Sequence, residues 1–97
     1  MISGKQKRYL RKEAHELEPI FQVGKGGVVP TMITQLNDVL EARELIKVSI
    51  LQNCDVPKEE VAELITSRTH AELVQIIGRT IILYKESKTK KQIILPS

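Results

Sequence analysis

The hydrophobic pattern of this chain changes period as it runs, and that alternation limits the folds open to it more than any other feature. Over Ser3 to Leu17 apolar residues fall at helical spacing, with Leu10, Ala14 and Leu17 at i, i+4 and i+7. Pro19 stops that helix, because the residue before a proline avoids the α region. "PIFQV" then reads as a short apolar strand ending at Gly24. From Pro30 to about Arg43 the helical period returns, with Met32, Ile33, Leu36, Val39 and Leu40 on the buried face. Pro30 suits the first helical turn, where its missing N–H costs nothing. "ELIKVSIL" switches to strand period: Leu45, Lys47, Ser49 and Leu51 alternate with Ile46, Val48 and Ile50, the more apolar set.

"NCDVPKEEVAELITSR" holds a third helix. Its early Glu59 and Glu60 complement the helix dipole, and Val61, Leu64 and Ile65 form its buried stripe. "AELVQIIGRTIILYKE" gives two strands around a tight turn at Gly78-Arg79. "SKTKKQIILPS" is a basic tail, read as mobile except for a short apolar run that is a candidate edge strand. The order α-β-α-β-α-β-β predicts an α/β fold: a two-layer sandwich on a mixed four-stranded sheet, its last two strands antiparallel.

A chain of 97 residues predicts one domain over residues 1–97, with the basic tail running from about residue 86 to 97. Phe21, Tyr9 and Tyr84 are its aromatic residues, so Ile, Leu and Val must build the core. Tyr84 is expected to pack, and Tyr9 lies between the apolar and basic arcs of the first helix. "MISGKQKRYLRK" lacks the apolar stretch of a signal peptide, and runs such as "TIILY" are far too short to cross a bilayer. The expectation is a soluble, cytoplasmic monomer. Cys54, the single cysteine, permits no intramolecular disulfide, and with His15 and His70 distant from it no metal site is expected. Nothing in the sequence arranges those residues for acid–base or nucleophilic catalysis.

Charge is unevenly spread. The net charge is +3, but Lys5, Lys7, Arg8, Arg11 and Lys12 crowd the first twelve residues without an acid among them. Lys85, Lys88, Lys90 and Lys91 crowd the other end, and Asp38, Glu41, Glu44, Glu59, Glu60 and Glu63 occupy the middle. On the first helix Lys5, Arg8, Lys12 and His15 share one stripe, extended by Lys7 and Arg11. Basic ends around an acidic middle can present one positive face, and a polyanion fits such a face.

The stretch "FQVGKGGVVPTM" places three glycines and Lys25 between a strand and a helix. Bare backbone N–H groups beside a helix N-terminus form an anion site. A P-loop needs G-x-x-x-x-G-K-[ST], and here Lys25 precedes the glycine pair with no Ser or Thr beside it. A dinucleotide fingerprint needs G-x-G-x-x-G, and Val29 stands at its third glycine. The G-x-x-G pattern that clamps nucleic-acid backbone in KH domains is met by Gly24, Lys25, Gly26 and Gly27, although there the loop joins two helices. A glycine turn needed only for a tight reversal is the plain alternative. A bulky acid at Gly27 is expected to weaken binding without unfolding the chain.

"LRKEAHELEPIFQVGKGGV", "ELIKVSI" and "ELVQIIGRTIILYK", in this order and spacing, resemble the CRM domain (chloroplast RNA splicing and ribosome maturation) and its short bacterial form, the YhbY-like family. The likeness covers about Ser3 to Lys85. It implies an RNA-binding domain related in shape to the C-terminal domain of a bacterial translation initiation factor. It further implies association with ribosomal RNA of large-subunit precursors, a role in ribosome assembly, and no catalysis, cofactor or small-molecule substrate. The family's glycine loop corresponds to Gly24, Lys25, Gly26 and Gly27, its basic helix to Lys5, Lys7, Arg8, Arg11 and Lys12, and its hairpin to Gly78 and Arg79. One departure is His70, where the family often has glycine after the third helix; a left-handed cap there suits His less well. Rival readings are an RNA cofactor role in splicing or translation, a protein-interaction module with acidic second and third helices, and a small phosphotransfer enzyme.

Overall fold

In the computed structural model, which describes residues 2–97, helix α1 (Gly4–Ala14) opens on a reciprocal cap. The Gln6 backbone N–H donates to Ser3 Oγ at 3.1 Å, and the Ser3 N–H donates to Gln6 Oε1 at 2.9 Å. Such a cap stabilises a helix by about 1 kcal/mol. The chain then runs through strand β1 (Pro19–Val23), helix α2 (Pro30–Arg43), strand β2 (Leu45–Ile50), helix α3 (Lys58–Thr69), strand β3 (Glu72–Ile77) and strand β4 (Thr80–Tyr84). That is the order read from the hydrophobic periods. The first helix closes three residues short of Leu17, in a turn where the Leu17 N–H donates to the Ala14 carbonyl.

The four strands lie in the order β1-β2-β4-β3. β1 and β2 are parallel, with α2 as their crossover; β2/β4 and β3/β4 are antiparallel. Side chains alternate across a strand. Ile46, Val48 and Ile50 of β2 join Val23, Ile81 and Leu83 beneath α2 and α3, whose Leu36, Leu40, Val61 and Ile65 complete that core. Leu45, Ile82, Val74 and Tyr84 point the other way and meet Leu10 and Ala14 of α1. Helices therefore cover both faces, and the α/β fold has three layers where the sequence reading expected two. The cause lies in "IILY": Ile81, Ile82, Leu83 and Tyr84 are all buried, leaving β4 no polar face to give to water.

The tail departs further from expectation. It contains no strand, and carboxylates from the end of α2 fasten it to the domain. Glu44 is fully buried, with φ 68° and ψ −44°. Its carboxylate accepts from the backbone N–H groups of Ser87 at 2.8 Å, Gln92 at 2.6 Å and Ile93 at 2.8 Å. A non-glycine residue in this conformation costs about 1–3 kcal/mol, which these charge-assisted bonds offset. Glu41 accepts from the Thr89 hydroxyl at 2.6 Å, the Ser87 hydroxyl at 2.9 Å, and the N–H groups of Lys88 and Thr89. Ile93 and Leu95 then pack against the α1-side core. Among the described residues no helix is long and apolar enough to cross a membrane.

Candidate nucleic-acid interface

The glycine loop closes as a turn, the Gly27 N–H donating to the Gly24 carbonyl at 3.0 Å. Gly27 is buried and has φ +70°, and a Cβ there would stand 3.1 Å from Val56 Cγ2. The fold itself thus favours glycine at Gly27, so a bulky acid there carries a structural cost beside the loss of binding expected of it. At Gly24 a Cβ would meet Leu51 at an ordinary 3.9 Å. At Gly26 it would meet nothing within 4 Å, and Gly26 is exposed. No packing requires a bare backbone at Gly26. Lys25, exposed beside it, forms no ion pair among the described residues. Helix α2 starts just beyond with Pro30 at its first turn and no side-chain cap from Val29, so its positive end faces the same region unblocked.

The sheet brings the hairpin tip to this loop. The Leu51 N–H donates to the Val23 carbonyl at 2.9 Å, and the Ile50 N–H donates to the Arg79 carbonyl at 2.7 Å. One guanidinium nitrogen of Arg79 donates to the Leu51 carbonyl at 3.4 Å, while the residue stays exposed. Lys58 is a cation that the sequence reading overlooked. Its Nζ donates to the Gly78 carbonyl at 2.9 Å, tying the start of α3 to the hairpin. A lone lysine after Pro57 carries no periodic signal; only the strand order reveals its place. An open cleft of about 490 Å³ lies here, lined by Cys54, Asp55, Val56, Pro57, Lys58, Gly78 and Arg79. Ligands of open α/β sheets favour this end, beyond the carboxyl ends of parallel strands.

Helix α1 sits on the other face of the sheet, across β3, β4 and β2, near the end where Leu45, Tyr84 and Glu72 pair. That end lies away from the glycine loop. Lys5, Lys7, Arg8 and Lys12 are exposed and Arg11 is half-buried, its stem along the apolar stripe. None of these five forms an ion pair among the described residues. Lys5 Nζ donates to the Ser97 carbonyl at 3.3 Å, so the tail occupies part of its reach. The structure thus gathers Gly24, Lys25, Gly26, Gly27 and Arg79 at one end of the sheet, and sets the α1 cations apart from them. Exposed Asp38, Glu59, Glu60 and Glu63 lie on α2 and α3, on the opposite side from α1. Tyr84 is buried, and Phe21 and Tyr9 are half-buried against the cores.

Known proteins share this sequence and shape. The family model described as the CRS1 / YhbY (CRM) domain matches residues 2–85. The chain is 62% identical over 96 residues to "Probable RNA-binding protein YqeI" of Bacillus subtilis, covering 99% of this chain and 100% of that protein. It is 32% identical over 90 residues to an "RNA-binding protein" of Haemophilus influenzae, covering 93% of this chain and 91% of the other. The solution structure of SAV1595 from Staphylococcus aureus, a hypothetical protein whose suggested role is RNA binding, superposes with a TM-score of 0.83. That match has 56% identity and covers 99% of this chain and 100% of the other.

Proposed function

The chain belongs to the CRS1 / YhbY (CRM) family, and from that premise we propose that it binds RNA without catalysing a reaction on it. We further propose that its RNA is ribosomal RNA of large-subunit precursors, and that it acts as a cytoplasmic monomer in ribosome assembly. The observation that carries RNA binding is Gly26: a bare, exposed backbone position that no packing explains, beside a lysine that forms no ion pair among the described residues. A side chain at Gly26 would hold a sugar–phosphate backbone away from the loop, and glycine lets it close in. Lys25, Arg79 and the uncapped start of α2 then neutralise phosphate charge, and Lys58 adds a cation beside the hairpin. Lys5, Lys7, Arg8, Arg11 and Lys12 extend the positive field on the α1 side. The ribosomal assignment comes from the family resemblance.

Sedimentation of cell extract through a low-salt sucrose gradient tests the reading. The expected result is a peak with free large subunits or their precursors, lost at high salt. A peak confined to the top of the gradient would contradict the ribosomal assignment. Complexes that survive RNase treatment would favour the protein-interaction module instead.

A further inference from the structure

We infer that the uncovered half of the sheet on the α1 side is an RNA contact surface, which carries one stretch of sugar–phosphate backbone between the glycine loop and α1. The inference deepens the RNA-binding reading and rests on it.

Strand register defines the surface. Gln22 pairs with Ser49, Ser49 with Thr80, and Thr80 with Ile77, so one row of side chains spans all four strands. Phe21 and Val48 pair beside that row and pack toward α2 and α3, so the row points the other way, to the α1 side. Helix α1 covers the rows further along, where Leu45, Val74, Ile82 and Tyr84 are buried. It leaves this row open: Gln22 is exposed, Ile77 is 50% exposed, and Ser49 and Thr80 are half-buried. Lys47 and Gln75, both half-buried, flank Ile82 in the neighbouring row.

The flanks of α1 face different things. Gln6 Nε2 donates to the Pro96 carbonyl at 3.0 Å, and Glu13 borders Gln92 and Ile93, so that flank meets the tail. Lys7 and Arg11 lie on the opposite flank of the Leu10–Ala14 stripe and so border the open sheet. The surface therefore runs from Lys7 and Arg11, over Lys47 and the row of Gln22, to the strand ends that carry Lys25 and Arg79.

Its chemistry selects the occupant. The row offers hydroxyls, an amide and one aliphatic side chain, with Lys47 beside it and no carboxylate. A face kept only for solvent carries charges of both signs; here exposed Glu13 of α1 lies on the flank that meets the tail, and the exposed acids of α2 and α3 lie on the other side of the sheet. No aromatic ring stands on the row, so it lacks the platform on which sheet-faced binders stack bases. Hydroxyl and amide groups between cations suit phosphate oxygens and ribose 2′-hydroxyls.

The test is the affinity of the full chain for ribosomal RNA fragments, measured at several salt concentrations. Gln22→Glu puts a carboxylate on the exposed end of the row and is expected to weaken binding by about tenfold at low salt. Lys47→Ala is expected to reduce the log–log salt slope by about 0.7. Glu63→Gln on α3 is expected to change neither quantity. If Lys25→Glu weakens binding while Gln22→Glu and Lys47→Ala behave as wild type, the sheet surface is overturned and the RNA-binding reading stands. If the unmodified chain does not bind, the reading itself falls. Circular dichroism of each variant identifies any that has unfolded, and Gln22, already solvent-exposed, decides the matter if Lys47→Ala does not fold.

Discussion

Gly26 and Gly27 are neighbours with different jobs. Gly27 answers to the fold, through its positive φ and its contact with Val56. Gly27→Ala is expected to destabilise the domain by about 1–2 kcal/mol, seen as a lower urea midpoint. Gly26→Glu is expected to keep the stability within about 0.5 kcal/mol of wild type, because the site is open. Its effect should instead appear as loss of RNA affinity. A third residue, His70, caps α3 in the left-handed region at φ 62°, ψ 22°, its N–H donating to the Thr66 carbonyl. His70→Gly is expected to raise stability by up to about 1 kcal/mol, since glycine escapes most of the steric cost of that conformation. Sequence reasoning found the unfavourable residue at His70 from a family habit alone; the dihedral angles supply its reason.

At the scale of elements, the tail depends on the end of α2. The Thr89 hydroxyl, then the Lys88 N–H and the Ser87 hydroxyl, hold the Glu41 carboxyl down at about 2 against an ordinary 4.5. Burial pushes the Glu44 carboxyl up, but N–H groups of Ser87, Gln92 and Ile93, with the Lys91 charge, outweigh it and leave Glu44 below its ordinary value. Both groups favour the docked tail as carboxylates. Because the docked value of Glu41 lies below the free one, its contribution is complete above about pH 4.5 and is lost as the pH falls through about 2. The amide resonances of Lys88 and Thr89 should move toward unbonded positions over that window. Glu44→Ala is expected to cost about 1–3 kcal/mol, since it strands N–H groups that the carboxylate now satisfies. Patterns such as those in "LRKEA", "ELIKVSI" and "TIILYK" revealed the order of helices and strands, because such segments bury a stripe or a face. They did not reveal the tail's course. That course depends on Glu41 of α2 and Glu44 at its C-cap meeting backbone N–H groups more than forty residues later, and no local pattern encodes such a meeting.

At the scale of the molecule, the two sides of the sheet differ in their balance of charge. α1 brings Lys5, Lys7, Arg8, Arg11 and Lys12 against a single acid, Glu13, to one side of the sheet; α2 and α3 bring exposed Asp38, Glu59, Glu60 and Glu63 against exposed Arg43 and Arg68 to the other; and the glycine loop sits at one end of the strands. The candidate site was partly legible in the chain: the glycine pattern and the basic stripe are contiguous in sequence. What stayed hidden was their separation. The expectation of two layers failed on "IILY", whose apolar residues need cover on both sides, and that failure moves α1 away from α2 and α3. Lys58 and the row from Gln22 to Ile77 were hidden for the same reason, since strand order and register join residues that are distant in the chain.

The most direct measurement is the affinity of the chain for ribosomal RNA fragments as a function of salt, for the wild type and for Lys25→Ala and Gly26→Glu. The account predicts that log affinity falls linearly with log salt, that Lys25→Ala flattens the slope by about 0.7, and that Gly26→Glu weakens binding in a folded protein. Salt-independent binding, or a folded Gly26→Glu variant with wild-type affinity, would contradict a backbone-clamping glycine loop.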